Sequence, residues 1–286
     1  NMQDDRDIKI FRELKRRINY LQDELNYDVA FIALQGSQNY GMDIYTDEYQ
    51  SDIDCIAVVL PTLDEIIDNK SPVSTTLVLE NNEHIVVKDF RLFIGLLYKQ
   101  NIQYLEVLFT KYKIINKRYK ELLNPLFDKA EIITKFNMIS VMNCIGGMAI
   151  QKLNALEHVY PSTFDRIEKC GYDGKSLHHL IRLFQFENNL INGMEYGKSL
   201  CYFDLEIKDM CMKAKLSQYN LDEARALADK YINKIRDRKQ EYLDNNDLVE
   251  DDRAPLILTS VKSNVLKKYF TDELKCDIIG LYQLCP

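Results

Sequence analysis

Two aspartates one residue apart, Asp52 and Asp54, follow Gly36-Ser37 across a short polar insert. Side chains alternate across a strand, so both carboxylates share one face while Ile53, Cys55, Ala57 and Val59 share the other. Carboxylates held side by side repel and are costly to ionise unless a cation lies between them. Hard oxygen ligands in this arrangement suit Mg²⁺, with Mn²⁺ as a substitute; the ion takes one or two carboxylates and completes its shell with substrate phosphates. Upstream, Asp28-Val-Ala-Phe-Ile-Ala-Leu34 reads as a buried strand running into Gly36-Ser37. A strand ending in such a turn exposes backbone N–H groups that suit an anion such as a triphosphate. A lone Asp-x-Asp is usually a solvated strand end, so it is the ordered pair of signals that points to chemistry.

A third carboxylate is expected if two metal ions are used. Val73–Leu79 and Glu83–Asp89 read as the strands of a hairpin turning at Asn81-Asn82. Asp89 shares a face with Ile85 and Val87, where an unpaired carboxylate is costly, and this favours a metal ligand. It also directly precedes the helical pattern Phe90, Phe93, Ile94, Leu97, where aspartate is a favoured N-cap. Both readings stand at the level of sequence.

Residues 173–193 form a second informative element, with Asp173 as N-cap and Gly193 just past the end. Leu177, Leu180, Ile181, Phe184 and Ile191 make one apolar stripe. Lys175, His179, Arg182 and Phe186 fall opposite. That face either looks at water or looks across a cleft at the carboxylates, where Lys175 and Arg182 would hold phosphate.

The Gly-Ser turn followed by Asp-x-Asp resembles the signature of the nucleotidyltransferase fold of the DNA polymerase beta superfamily. Lys175 to Leu183 is similar to the Lys-x-x-x-His-Leu-Ile-Arg-Leu segment of a group of bacterial and phage nucleotidyltransferases within it. Asn101-Ile-Gln-Tyr-Leu-Glu-Val-Leu-Phe109 resembles the Asn-Pro-Asn-x-x-Glu-x-Leu-Phe segment of the same group. The similarity spans roughly residues 28 to 195. This chain departs from the group in a longer, more acidic insert between Gly41 and Ser51 and in Ile102 where proline is usual.

The resemblance implies Asp52, Asp54 and Asp89 as metal ligands and catalytic residues. It implies Gly36, Ser37, Lys175, His179 and Arg182 as nucleotide contacts, with His179 donating to a phosphate or orienting Arg182. The expected activity is transfer of a nucleoside monophosphate from an NTP, ATP favoured, to an acceptor hydroxyl, with two Mg²⁺ ions sharing the three aspartates. The acceptor is an RNA end, a protein or a small molecule. A catalytically silent nucleotide-binding or antitoxin-like partner of the same fold is the alternative. A third reading is an interaction protein docking through the apolar tail Ile278–Cys285.

The elements that must position these residues fall into an α/β front and a helical back. The fold class expected is α+β: a small mixed sheet flanked by helices, followed by an all-α domain. The division is 1–130, catalytic, and 131–286, helical and closing the nucleotide cleft. An opening amphipathic helix carries Ile10, Phe11, Leu14, Ile18, Leu21 and Leu25; the long helices are expected at 131–158, 173–193, 221–245 and 254–270.

At 286 residues and 46% apolar, the chain can build a real core. No apolar run reaches the ~18 residues of a membrane helix, and no signal peptide is read at the start, where Asn1 before Met2 looks like a tag remnant. Seven cysteines without Cys-x-x-Cys spacing favour a reducing cytoplasm and argue against zinc. A net charge of −7 argues against a grip on long nucleic acid through many phosphates.

Overall fold

The computed structural model of the chain describes residues 2–284. A five-stranded mixed sheet has the order β3-β4-β2-β1-β5, with β1 Asp28–Gln35, β2 Asp54–Leu60, β3 Ser74–Val78, β4 His84–Asp89 and β5 Lys113–Ile115. Only β2 and β4 run parallel; β1 pairs antiparallel with β2 and β5, and β3 with β4. Val29 to Leu34 are all buried, as a central strand covered on both faces requires.

One face is covered by α1 (Met2–Asn19), whose Ile10 and Leu14 pack with Leu34, Ile53, Cys55, Ala57, Val59, Ile85 and Val87. After β2 comes the short α2 (Leu63–Ile67), closed by a Thr62–Glu65 capping box. The other face holds α3 (Phe90–Tyr98) and, beyond the short α4 (Ile102–Leu105), α5 (Lys120–Asp128). There Phe31 meets Phe93 at 5.4 Å and Phe127 at 5.6 Å, both edge-on. α6 (Ala130–Thr134) ends this run.

The second compact unit comprises residues 100–102 and 137–251. Its helices are α7 (Met138–Ala155), α8 (Phe164–Cys170), α9 (Gly174–Ile191), α10 (Tyr196–Cys201), α11 (Leu205–Lys215) and α12 (Leu221–Asn245). α9 is its centre, packed by α7, α10, α11 and α12. The expected 131–158 helix is broken because Asn137 turns out of helical geometry and caps Ser140.

The last helix, α13 (Arg253–Leu284), belongs with the sheet rather than with the helical unit. It packs on α3, α5 and α6, with Arg118 paired to Asp272 at 3.0 Å and Glu273 accepting from Leu63 N. The first unit is therefore residues 1–99, 103–136 and 252–286, not 1–130. Of the apolar tail, Ile278 and Ile279 are exposed on α13, and Cys285 lies outside the described residues. No helix among the described residues is long and apolar enough to cross a membrane.

Candidate active site

Gly36 leaves β1 with φ +95 and ψ −163, a conformation that glycine alone adopts without strain. A Cβ there would meet nothing within 4 Å, so the backbone and not space requires the glycine. Ser37–Asn39 then form a single 3₁₀ turn, with Asn39 N donating to Gly36 O at 3.0 Å. Such a turn leaves its first N–H groups without an internal acceptor.

The buried Gln38 side chain ties this turn to the aspartates, its Nε2 donating to Asp52 O at 2.9 Å and to Ser51 O at 3.3 Å. Tyr40 donates its hydroxyl to Glu106, which brings the Asn101–Phe109 segment to the same loop. The acidic insert is folded: Tyr45 bridges Gln50, and Ser51 N donates to Ile44 O at 2.7 Å. α1 braces it through an Arg6–Asp43 ion pair at 2.7 Å and a Lys9–Gln50 hydrogen bond.

Gln35 lies opposite Asp54 in the β1–β2 register. Asp52 is exposed and Asp54 partly so, while Ile53 between them is buried in the core. The alternation expected from the sequence is the one observed. Neither aspartate pairs with a lysine or arginine among the described residues. Asp54 Oδ1 accepts from His84 N at 2.8 Å and lies 3.4 Å from His84 Nδ1. The residue between the aspartates is held by its own backbone: Ile53 N donates to Glu83 Oε2, and Ile53 O accepts from Arg17 Nη1.

Asp89 is not brought to this cluster. β2 and β4 are parallel, and Asp89 lies beside Val59, five residues beyond the level of Asp54 and His84, or about 16 Å along the sheet. It is buried and caps α3, accepting from Arg91 N at 2.7 Å and Arg91 Nε at 3.0 Å on Oδ1 and from Arg91 Nη2 at 2.8 Å on Oδ2. The cap reading, and not the ligand reading, describes it. A cavity of about 560 Å³ opens at that end, lined in part by Asp28, Thr62, Asp89, Arg91 and Arg118. Among the described residues no group of three or more His, Cys, Asp or Glu is set to hold a metal.

Lys175, His179 and Arg182 share α9 in the helical unit. Asp173 caps that helix, accepting from Lys175 N and Ser176 Oγ and pairing with Arg166 at 2.8 Å. The face opposite the apolar stripe was expected to be free of the core, but Arg182 and Phe186 are buried. The reason is that α9 is packed from several sides and pairs some of its polar groups inside the unit, as in Gln185 to Asn189 and Asn189 to Ser199 O and Tyr202 O. Burial, then Arg182 and other nearby cations, pushes His179 well below its usual pKa. Burial lowers His178 to about 4, with Cys211 O 3.0 Å from its Nδ1. Lys152 of α7 is lowered by burial and by Arg182 against the pull of Asp173. All three shifts come first from burial, with Arg182 a lesser contributor.

Sequence reasoning missed Arg17, Gln38, Glu83 and His84. Arg17 carried a signal, a charge in line with Ile10, Leu14 and Ile18 on the apolar stripe of α1; the others had none without the register.

No protein-family model matches the chain, and no curated protein matches it. A solved structure, a nucleotidyltransferase-like protein from Exiguobacterium sibiricum 255-15, is similar over 91% of each chain at 14% identity, with a TM-score of 0.31. A likeness this slight says nothing of the site.

Proposed function

We propose that the chain is a nucleotidyltransferase that moves a nucleoside monophosphate from an NTP, ATP favoured, to an acceptor hydroxyl with release of pyrophosphate. The observation that carries this reading is the Gln38 bridge, which holds the Gly36-Ser37 turn against the Asp52–Asp54 pair at one end of the sheet. Anion-binding backbone and cation-binding carboxylates thus meet in one place.

The residues fit a hard divalent cation. Two carboxylates share a strand face, keep contact with water, and are not neutralised by a nearby lysine or arginine among the described residues. Bound there with the phosphates, Mg²⁺ or Mn²⁺ would supply charge stabilisation at the α-phosphorus. Asp52 and Asp54 would hold it. Asp89, tied to Arg91 far along the sheet, is not part of this pair, and a second ion would lack the ligand it was expected to share. The amides at Gly36 and Ser37 hold outer phosphates. Lys175 and Arg182 on α9 are kept as the nucleotide contacts that the resemblance implies. His179, kept neutral, donates one N–H to a phosphate oxygen or orients Arg182.

The displaced Asp89 favours one rival, a silent nucleotide-binding protein, since binding needs no third carboxylate. The chain is incubated with each labelled NTP, Mg²⁺ and RNA, protein or small-molecule acceptors. Transfer or pyrophosphate release is expected, falling at least about 10²–10³-fold in Asp52→Asn and in Asp54→Asn. Nucleotide binding without turnover in the wild-type chain identifies the silent reading. Turnover that survives both substitutions sinks the assignment.

A further inference from the structure

We propose that the ion pair of buried Arg17 with half-buried Glu83 is a positioning device that fixes the directions of Asp52 and Asp54 by gripping the peptide groups on both sides of Ile53. The inference rests on the nucleotidyl-transfer reading for what the aspartates bind, and on geometry for the grip. The peptide joining Asp52 to Ile53 is held at both ends, its N–H donating to Glu83 Oε2 and its carbonyl accepting from Gln38 Nε2 at 2.9 Å. The carbonyl of the next peptide, joining Ile53 to Asp54, accepts from Arg17 Nη1. Arg17 Nη2 meets Glu83 Oε1 at 3.0 Å, so the two gripping groups also hold each other. Each peptide plane is attached to one aspartate Cα. Rotating either plane swings a carboxylate, and the pair blocks both rotations.

Stability alone does not account for this arrangement. Arg17 is only 2% exposed and sits on the buried stripe of α1 beside Ile10 and Leu14. A buried ion pair is often no more stabilising than well-packed apolar residues of similar volume, because desolvation offsets attraction. Activation of Cys55 does not account for it either. Arg17 lies 3.3 Å from Cys55 Sγ, yet burial still pushes that thiol up to about 11, far from a reactive thiolate. What the pair does that leucine or methionine cannot is bind both backbone groups of the residue between the aspartates.

The test compares the full wild-type chain with the double variant Arg17→Met/Glu83→Leu, using Mn²⁺ alone as probe. Mn²⁺ affinity is read by electron paramagnetic resonance, thermal stability in parallel, and hydrogen exchange over residues 50–56. The double variant should melt somewhat below the wild type because Ile53 N and O lose their partners, exchange faster at Ile53, and bind Mn²⁺ about 10- to 100-fold more weakly, as when groups that orient a metal ligand are lost. Leu21→Ala, a core change away from Ile53, should melt lower and bind Mn²⁺ as the wild type does. Wild-type Mn²⁺ affinity in a folded double variant overturns the proposal and leaves the nucleotidyl-transfer reading standing. A wild-type chain that takes up no Mn²⁺ overturns both. If the double variant does not fold, Glu83→Gln decides: it keeps an acceptor for Ile53 N but breaks the ion pair, and unchanged exchange and affinity there also overturn the proposal.

Discussion

The two ends of the β2–β4 pair hold acidic residues in opposite conditions. At the amino ends Asp52 and Asp54 meet water, and the order lies in the backbone beneath them, gripped by Arg17, Gln38 and Glu83. At the carboxyl ends Asp89 is buried, and its own carboxylate is the ordered part, capping α3 and closing a fork with Arg91. The difference teaches how to tell a working acid from a structural one. Asp89 gives both carboxylate oxygens to Arg91, whereas Asp54 gives Oδ1 to His84 N; on the proposed reading the oxygens left over at the amino end are those a ligand would take.

Substituting one aspartate at each end should give the largest contrast. Asp54→Asn is expected to cut turnover by about 10²–10³-fold with little change in melting. Asp89→Asn should do the reverse. It loses the charge facing Arg91 and weakens a cap, lowering stability by about 1–3 kcal/mol while turnover per folded molecule stays at the wild-type level. Parallel activity and melting measurements on the two variants check this. An Asp89→Asn protein that melts normally but has lost turnover would break the comparison and place a working acid at the carboxyl end.

Asp89 is parted from the aspartate pair by strand direction and by sheet face together. Alternation correctly set Asp89 on the face of Ile85 and Val87, and the Asn81-Asn82 turn correctly made β3 and β4 a hairpin. Neither signal says whether β4 runs with or against β2. Antiparallel pairing would bring Asp89 level with Asp54 but on the opposite face of the sheet, that of Cys55 and Val59; the parallel pairing observed also carries it away along the strand. Strands β1 to β4, the bounds of α12 and the Gly-Ser-to-Asp-x-Asp order were legible because they are local; the short β5 was not read. The return of α13 to the sheet was not, since an apolar stripe shows that a helix packs but not on what. The burial of Arg182 was hidden for a related reason. Its helix wheel looks half polar, yet Gln185 and Asn189 find partners inside the helical unit.

A smaller effect should come from Gly36, where the amino end depends on backbone alone. With open space around the missing Cβ, Gly36→Ala introduces no clash, only an unfavourable φ of +95. Strain of that kind costs about 1–3 kcal/mol or moves the turn to relieve it. Denaturant unfolding should show the loss, and ATP affinity should fall with it. At the other end Asn26 also has a positive φ, of 57, but in the left-handed region that asparagine tolerates. Asn26→Gly should therefore leave stability nearly unchanged. If Gly36→Ala is as stable as the wild type and binds ATP equally, the turn is not a rigid anion cradle.

The smallest effect tests whether the carboxyl end is a charge site at all. Asp28 begins β1 at the cavity, and burial raises its pKa from an ordinary 3.8, against the pull of Arg118. Tyr119 and Tyr269 also face it, and their hydroxyls are pushed up by burial first and by Asp28 second. A carboxyl whose folded pKa is raised binds more protons in the native than in the unfolded chain between the two values. Stability then falls as pH rises from 3.8 through the folded pKa, and the deficit is complete above it. Asp28→Asn removes that titration. Its stability should be flatter over this window and, at neutral pH, slightly above the wild type, by under about 1 kcal/mol. Denaturant midpoints measured at pH 4, 5, 6 and 7 would resolve this, those values being chosen to span roughly the window in which the carboxyl titrates. A variant less stable than the wild type at neutral pH would mean that attraction to Arg118 outweighs burial. The carboxyl end would then hold a working charge pair, and the contrast between the two ends of the sheet would narrow.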